Sequence, residues 1–320
     1  MQTEFKKIKI SSWGGYLPSR KLTNEDMSKI VETNDEWIVQ RTGITQRFFA
    51  KEDEFTSDLA MQSALVSLKG RTHIDGIVVA TTTPDLIFPS TACIVQRKLK
   101  ERGITSNFAF DIQAVCAGFV YAVTNAYCHI NSGLAKSILV IGADTLSRIL
   151  DFTDRTTCVL FGDGAGSCIV EENTQDTKSG IITASLHSDG SYTDILKTTG
   201  GVSQKGTGFL TMQGQDVFKH AVSKMQASIE ELMEKANITK DDISFIVPHQ
   251  ANARILDAIA KRMEIPDEKF IKTIQKHANT SSATIPLAMW EENSKFKEGD
   301  LMIMEALGGG LTWGGVVFRY

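Results

Sequence analysis

Cys116, His249 and Asn279 are the residues of this chain best suited to chemistry by type and by setting. Cys116 follows an apolar run, FAFDI at 108–112, and opens a helical pattern over 116–130. A thiol at a helix start feels the positive end of the dipole, which favours thiolate and therefore nucleophilic acyl chemistry. The competing reading is a small buried hydrophobe, because free cysteines are commonly buried. Cys93, Cys128, Cys158 and Cys168 lie in apolar runs or on helix faces, and a core position is expected for them. His249 leaves the apolar run ISFIV through a proline, where α/β proteins place their sites; a satisfied loop histidine is the alternative. Asn279, in HANTSSA, precedes another predicted helix, and an N-cap is its plain reading. His277 stands close by in sequence only and is read as structural.

Two glycine clusters invite comparison with ligand loops. GDGAG from Gly162 lacks the G-x-G-x-x-G spacing and runs into SCIVEE, which is strand-like. It reads as a tight turn between strands, not a dinucleotide loop. GGGLTWGG from Gly308 allows close backbone approach, and its N–H groups suit an oxyanion hole; an ordinary turn is the alternative. Trp37 offers a stacking face and Arg41 and Arg155 offer phosphate contacts, the elements of a nucleotide grip. Singly, each reads as a surface residue. Lys219, Arg254, Lys261 and Arg262 lie on helices with apolar opposite faces. They read either as a solvated face or as a local basic patch for an acidic partner.

The elements that must position these groups follow from periodicity. Apolar strand candidates are 76–81, 108–112, 137–141, 158–161, 167–170, 243–247, 300–304 and 316–318. Continuous apolar runs of this kind suit strands covered on both faces. Residues 216–235 and 253–263 show the helical period. Residues 116–130 are apolar nearly all round, which predicts a helix buried in the middle of the molecule. The two halves echo each other: HIDGIVVATTTPD with KDDISFIVPHQAN, DIQAVCAGFVYAV with TIQKHANTSSATI, and FGDGAGSCIVEE with LGGGLTWGGVVFR, in the same order. A duplicated α/β half is expected, with residues 1–172 and 173–320 as the two units.

Composition bounds the function class. The chain has 320 residues, 42% hydrophobic and 22% charged, with a net charge of −4. That suits one large layered unit or about two domains and argues against disorder and against a dedicated nucleic-acid binder. No stretch approaches the roughly 20 apolar residues that span a bilayer, and the opening MQTEFKKIKISSWGG shows no leader pattern. An odd number of cysteines without a C-x-x-C pair suits reduced cytoplasmic thiols, not a disulfide or zinc framework.

A Cys, a His in PHQAN and an Asn in NTSSA, in that order and closing on GGG-x-TWG, resemble the condensing enzymes of fatty-acid synthesis. Among these the chain is most similar to the β-ketoacyl-acyl-carrier-protein synthase III family. NDEWIVQRTGI, FPSTAC, DIQAVCAGF, FGDGAG, PHQAN-x-RI, NTSSA and GGGLTWG carry the likeness over nearly the whole chain. The resemblance implies the thiolase fold, an α/β architecture of duplicated halves in five αβαβα layers, working as a homodimer. It implies that Cys116 accepts the acyl primer from coenzyme A and that His249 and Asn279 hold the malonyl thioester carbonyl. Gly309 and the N–H of Cys116 match the oxyanion hole. Trp37 and Arg155 match an adenine clamp; Arg41, Gln215, Asn252 and Arg254 match residues near the coenzyme A entrance. Lys219, Arg254, Lys261 and Arg262 match the surface that docks acyl carrier protein. Phe88 matches a residue that closes the partner's primer pocket.

The implied reaction joins acetyl-CoA to malonyl-acyl-carrier protein, giving acetoacetyl-acyl-carrier protein, CO2 and coenzyme A. The coenzyme A thioester is a substrate, and no cofactor or metal is expected. Neutral donors such as an imidazole N–H and an Asn amide can hold an enolate without protonating its carbon. A related acyltransferase of secondary metabolism, with another primer or acceptor, is the rival reading. A non-catalytic acyl or coenzyme A binding module is a third. Three departures from the family pattern stand out: Ala278 where Gly usually precedes the Asn, Val115 for Ala, and Gln215 for Asn. If position 278 needs a positive φ, Ala there is strained.

Overall fold

The computed structural model describes residues 6–175, 177–204 and 206–320. Two sheets form the frame. In the first, the strand order is Ile8–Tyr16, Asp163–Glu172, Ser137–Thr145, His73–Ala80, Thr105–Ile112. The last three are parallel and the first two join antiparallel. The second runs Gly180–Ser188, Thr312–Arg319, Leu301–Gly308, Phe245–Pro248. Its directions repeat those of the first sheet, and a parallel bridge from Ile246 to Phe270 stands where the fifth strand would be. The echo in the sequence is thus an architectural repeat.

Side-chain alternation explains the layering. Along Ser137–Thr145, Ile138 and Val140 enter the central core, while Leu139, Ile141 and Ala143 enter an outer one. Along Leu301–Gly308, Met302, Met304 and Ala306 face the centre, and Leu301, Ile303 and Leu307 face outward. Each strand therefore buries both faces, which is why it reads as a continuous apolar run. Helices Thr56–Leu68 and Thr91–Lys100 cover the outside of the first sheet; Gly214–Ala236 and Ala253–Met263 cover the outside of the second. Between the sheets lie Gly118–Asn131 and Thr284–Glu291. Phe119, Val120, Ala122, Val123, Ala126 and Ile130 are all 0% exposed, as expected of a helix with apolar residues around most of its circumference. Truncating Phe119 to Ala in such a core would cost about 3–5 kcal/mol.

Some sequence expectations differ from the fold. Residues 158–161 are not a strand. Cys158 ends the one-turn helix Arg155–Cys158, capped by the Asp154 side chain on the Thr156 N–H, and Phe161 makes only an isolated bridge to Asn279. GDGAG is not a turn either: Asp163 already begins the strand Asp163–Glu172, and the small residues let helix Thr284–Glu291 lie against it. Cys93 and Cys128 are exposed. Helix Thr91–Lys100 buries Ala92, Val95 and Leu99, which leaves Cys93 on its outer side with its thiol toward the Ala109 carbonyl at 3.6 Å. Cys128 lies in the last turns of its helix, off the face that buries Ala126 and Ile130.

Candidate active site

Cys116 sits in the tight turn Val115–Ala117, between the strand end at Ile112 and the helix that starts at Gly118. Val115 carries φ +49°, a strained value for a β-branched residue. The backbone of this turn rests on Gly308. A Cβ at Gly308 would lie 2.6 Å from the Cys116 nitrogen and 3.1 Å from that of Ala117, so only glycine admits the contact. The middle glycine, Gly309, abuts Val115 and Leu196. Expected thiolate character is not what the resting site shows: burial pushes the Cys116 thiol up to about 12, and nearby Asp144 adds to this, while the Ser281 side chain opposes it. Desolvation outweighs the helix end, because the sulfur lies among apolar walls.

His249 follows the strand Phe245–Pro248, and its N–H donates to the Glu305 carbonyl at 2.7 Å. The ring is 2% exposed, and its Nδ1 lies 2.7 Å from Thr284 Oγ1. Burial lowers its pKa to about 3, so the imidazole is neutral.

Asn279 is clamped by backbone. Its N–H donates to the Leu160 carbonyl at 3.0 Å, and its carbonyl accepts from the Gly162 N–H at 3.0 Å. The FGDG segment therefore anchors Asn279 from the other half of the molecule. Asn279 Oδ1 accepts from the Ser281 N–H at 2.8 Å, which turns the amide NH2 toward the open side. Ala278 just before it has φ +58° and ψ −166°, a region that only glycine adopts freely. Ser281 carries φ +52°. Strain thus collects beside both Cys116 and Asn279. His277 is a buried neighbour of Glu291, 3.5 Å away, and does not line the cavity.

The Asn279 segment is fastened to the first half by Asp144, at the end of Ser137–Thr145. Asp144 Oδ2 accepts from Ser282 Oγ at 2.7 Å and from the Ser282 N–H at 3.2 Å. Its Oδ1 accepts from the Thr82 N–H and from the hydroxyls of Thr81, Thr82 and Thr83. Gly142 makes room, since a Cβ there would lie 2.3 Å from the Ser282 carbonyl oxygen. Asp144, Ser281 and Thr284 escaped the sequence reading. Their signal is the run of hydroxyls in NTSSAT and an acid closing an otherwise apolar strand.

Cys116, His249 and Asn279 all line one cavity of about 270 Å³. Its walls are largely apolar, with Leu146, Leu160, Phe161, Leu196, Met225 and Leu307 among them. Asn252 lies in the lining and its side chain is committed: Oδ1 caps Ala253–Met263 through the Arg254 N–H, and Nδ2 donates to the Arg41 carbonyl. Trp37 and Arg41 are four residues apart on helix Asp35–Thr42, which Asn34 caps and Gly43 ends at φ +73°. The Arg41 guanidinium stands 4.4 Å from the Trp37 ring centre and that of Arg155 5.0 Å, so two cations flank one indole. Arg155 also donates to the Glu32 carbonyl. These three lie outside the cavity lining, as does the exposed Gln215. Arg254 lies over Phe218 at 5.7 Å, joining the two outer helices. Lys219, Lys261 and Arg262 are exposed on those same helices. Phe88 is 81% exposed, with Leu86 and Ile87 at 53% and 74% beside it. Within the described residues, no helix is long and apolar enough to cross a membrane.

Residues 110–190 match the family model 3-Oxoacyl-[acyl-carrier-protein (ACP)] synthase III, and residues 233–320 match its C-terminal counterpart. The chain is 51% identical to a β-ketoacyl-[acyl-carrier-protein] synthase III of Rhizobium rhizogenes, over 97% of this chain and 98% of that protein. It is 49% identical to one of Ehrlichia canis, over 98% and 99%. The crystal structure of 3-oxoacyl-[acyl-carrier-protein] synthase III from Aquifex aeolicus superposes with a TM-score of 0.91 at 45% identity, covering 98% of this chain and 100% of that one. That from Pseudomonas aeruginosa gives 0.93 at 35% identity, covering 98% of each. With its thiolase fold and its Cys, His and Asn converging on one cavity, the chain belongs to the β-ketoacyl-[acyl-carrier-protein] synthase III family of condensing acyltransferases of fatty-acid synthesis.

Proposed function

We propose that the chain condenses an acetyl group from acetyl-CoA with malonyl-acyl-carrier protein through an acyl-Cys116 intermediate. The observation that carries this reading is the shared cavity of Cys116, His249 and Asn279, in which the Asn279 Oδ1 is already committed to the Ser281 N–H and its NH2 is left for substrate. Cys116 sulfur attacks the acetyl thioester carbonyl, and coenzyme A leaves as its thiol with the cysteine proton. The N–H groups of Cys116 and Gly309 hold the tetrahedral oxyanion. Malonyl then loses CO2; the electron pair of the broken C–C bond passes to an enolate, whose oxygen takes hydrogen bonds from His249 and Asn279. The enolate carbon attacks acetyl-Cys116, and the released thiolate takes up one proton. Acyl transfer, decarboxylation and condensation balance in this scheme without a metal or redox cofactor.

The same reading gives Trp37, Arg41 and Arg155 the nucleotide of coenzyme A. Gln215, Asn252 and Arg254 flank its entrance. Lys219, Arg254, Lys261 and Arg262 dock the acidic carrier protein on a chain whose net charge is −4. The exposed tip of Leu86, Ile87 and Phe88 supports a homodimer in which Phe88 closes the partner's primer pocket. The boundary between halves falls at 172/173, in the connection between the strand ending at Glu172 and the strand beginning at Gly180. Five free cysteines support a cytoplasmic setting. Purified protein given labelled acetyl-CoA and malonyl-acyl-carrier protein tests the reading: labelled acetoacetyl-acyl-carrier protein with matching CO2 is expected. Product from other acyl-CoAs alone would overturn the acetyl primer.

A further inference from the structure

His249 meets the cavity with one ring nitrogen and the protein with the other. Nδ1 lies 2.7 Å from Oγ1 of Thr284, the first residue of helix Thr284–Glu291, while Nε2 has no partner among the described residues. The neutral ring carries a single N–H, so its two nitrogens divide one donor and one acceptor role between them. Thr284 is 2% exposed, so bulk water does not compete for its hydroxyl.

That hydroxyl has one proton and two acceptors in reach: His249 Nδ1 at 2.7 Å and the Ser281 carbonyl at 3.1 Å. The Ser281 carbonyl already accepts from the Thr284 backbone N–H. Nδ1 has no other partner among the described residues. The Ser281 carbonyl is thus served without the hydroxyl, which leaves that proton for Nδ1, and a His249 that donates to the malonyl carbonyl from Nε2 requires this arrangement. We propose that Thr284 donates its hydroxyl proton to His249 Nδ1 and thereby holds the ring proton on Nε2, as a positioning residue that keeps His249 a donor toward the substrate.

The consequence is chemical. With the proton on Nε2, His249 meets the developing enolate oxygen as a donor. With the hydroxyl turned to Ser281, Nδ1–H would donate to Oγ1, and Nε2 would face that oxygen with a lone pair. One hydroxyl rotation separates a stabilising site from a repelling one. The surrounding loop holds the geometry, because Asp144 grips Ser282 and Asn279 grips Ser281.

The inference rests on the proposed role of His249 at the malonyl carbonyl, so the test reads tautomer and chemistry separately. Protein labelled with 15N-histidine would be examined at neutral pH, beside Thr284→Val, Thr284→Ser and His249→Ala. The wild type is expected to show a protonated Nε2 and an Nδ1 that accepts a hydrogen bond. Thr284→Val is expected to shift the Nδ1 resonance, mix the tautomers and slow malonyl decarboxylation roughly 10-fold, the worth of one hydrogen bond. Acylation of Cys116 should keep its rate, and Thr284→Ser should restore both signals. A wild-type ring protonated on Nδ1 overturns the proposal even if the valine variant does not fold. So does a Thr284→Val protein with unchanged resonances and decarboxylation, or one that loses acylation equally and is not rescued by Ser. Undiminished decarboxylation by His249→Ala would instead overturn the role of His249 itself.

Discussion

Asp144 and Ser282 join the two halves of the molecule at the active site, through a 2.7 Å bond from the Ser282 hydroxyl and a 3.2 Å bond from its N–H to one carboxylate oxygen. Asp144 is the penultimate residue of a central strand of the first sheet; Ser282 lies three residues after Asn279 in the second half. The Asn279 segment is thus fastened to the half that carries Cys116 by one buried acid. Replacing Asp144 by Ala removes the acceptor of several buried hydroxyls and N–H groups and should cost about 3 kcal/mol or more in urea unfolding. Condensation should fall with it. Unchanged stability would show that water takes the carboxylate's place.

Ala278 sits at φ +58° and ψ −166°, a conformation that costs a non-glycine residue about 1–3 kcal/mol. Glycine relieves that strain but has more freedom to lose on folding. Ala278→Gly should therefore gain about 1 kcal/mol in denaturant unfolding. A loss of stability would mean that the alanine methyl contributes packing that outweighs the strain.

His249 is buried neutral, with its folded pKa lowered to about 3 from an ordinary 6.5. The unfolded chain binds the proton first, so the stability this group contributes is present above pH 6.5 and is lost as pH falls toward 3. Between pH 7 and pH 5 the loss comes to about 2 kcal/mol. His249→Gln, which does not titrate there, should lose correspondingly less over the same interval. Parallel pH profiles for the two proteins would contradict the burial argument.

Trp37 between Arg41 and Arg155 should act on binding alone. Trp37→Ala or Arg41→Ala is expected to raise KM for acyl-CoA about 10-fold with kcat nearly unchanged, since the cluster lies away from the reacting atoms. An equal fall in kcat would place these residues in the chemical step.

Lys261→Glu with Arg262→Glu should raise KM for malonyl-acyl-carrier protein and flatten its salt dependence, while KM for acyl-CoA stays fixed. A matching rise for both substrates would locate these residues at the coenzyme A entrance.

Much of this was legible in the sequence, for reasons that can be traced. Strands such as Ser137–Thr145 are apolar on both faces because both faces are covered, and the helix after Cys116 is apolar nearly all round because it lies between two sheets. Residues 158–161 misled because four apolar residues suit a strand and a helix end equally well. GDGAG misled because glycines usually mark turns, whereas here they let a helix lie against a strand. Cys93 and Cys128 misled because a thiol is a small hydrophobe wherever it sits. Asp144 and Thr284 were illegible because each acts on a partner distant in sequence, across the seam between halves or between helix and strand. The resting thiol of Cys116 was illegible because local sequence shows the helix start but not the depth of burial.

Peptide mass spectrometry of the protein incubated with acetyl-CoA alone tests the central claim most directly, with Cys116→Ala as control. An acetyl group on Cys116, absent from the variant and discharged by malonyl-acyl-carrier protein into a β-ketoacyl product, is the predicted result. No acyl group on Cys116 from any acyl-CoA, with turnover intact, would contradict the account.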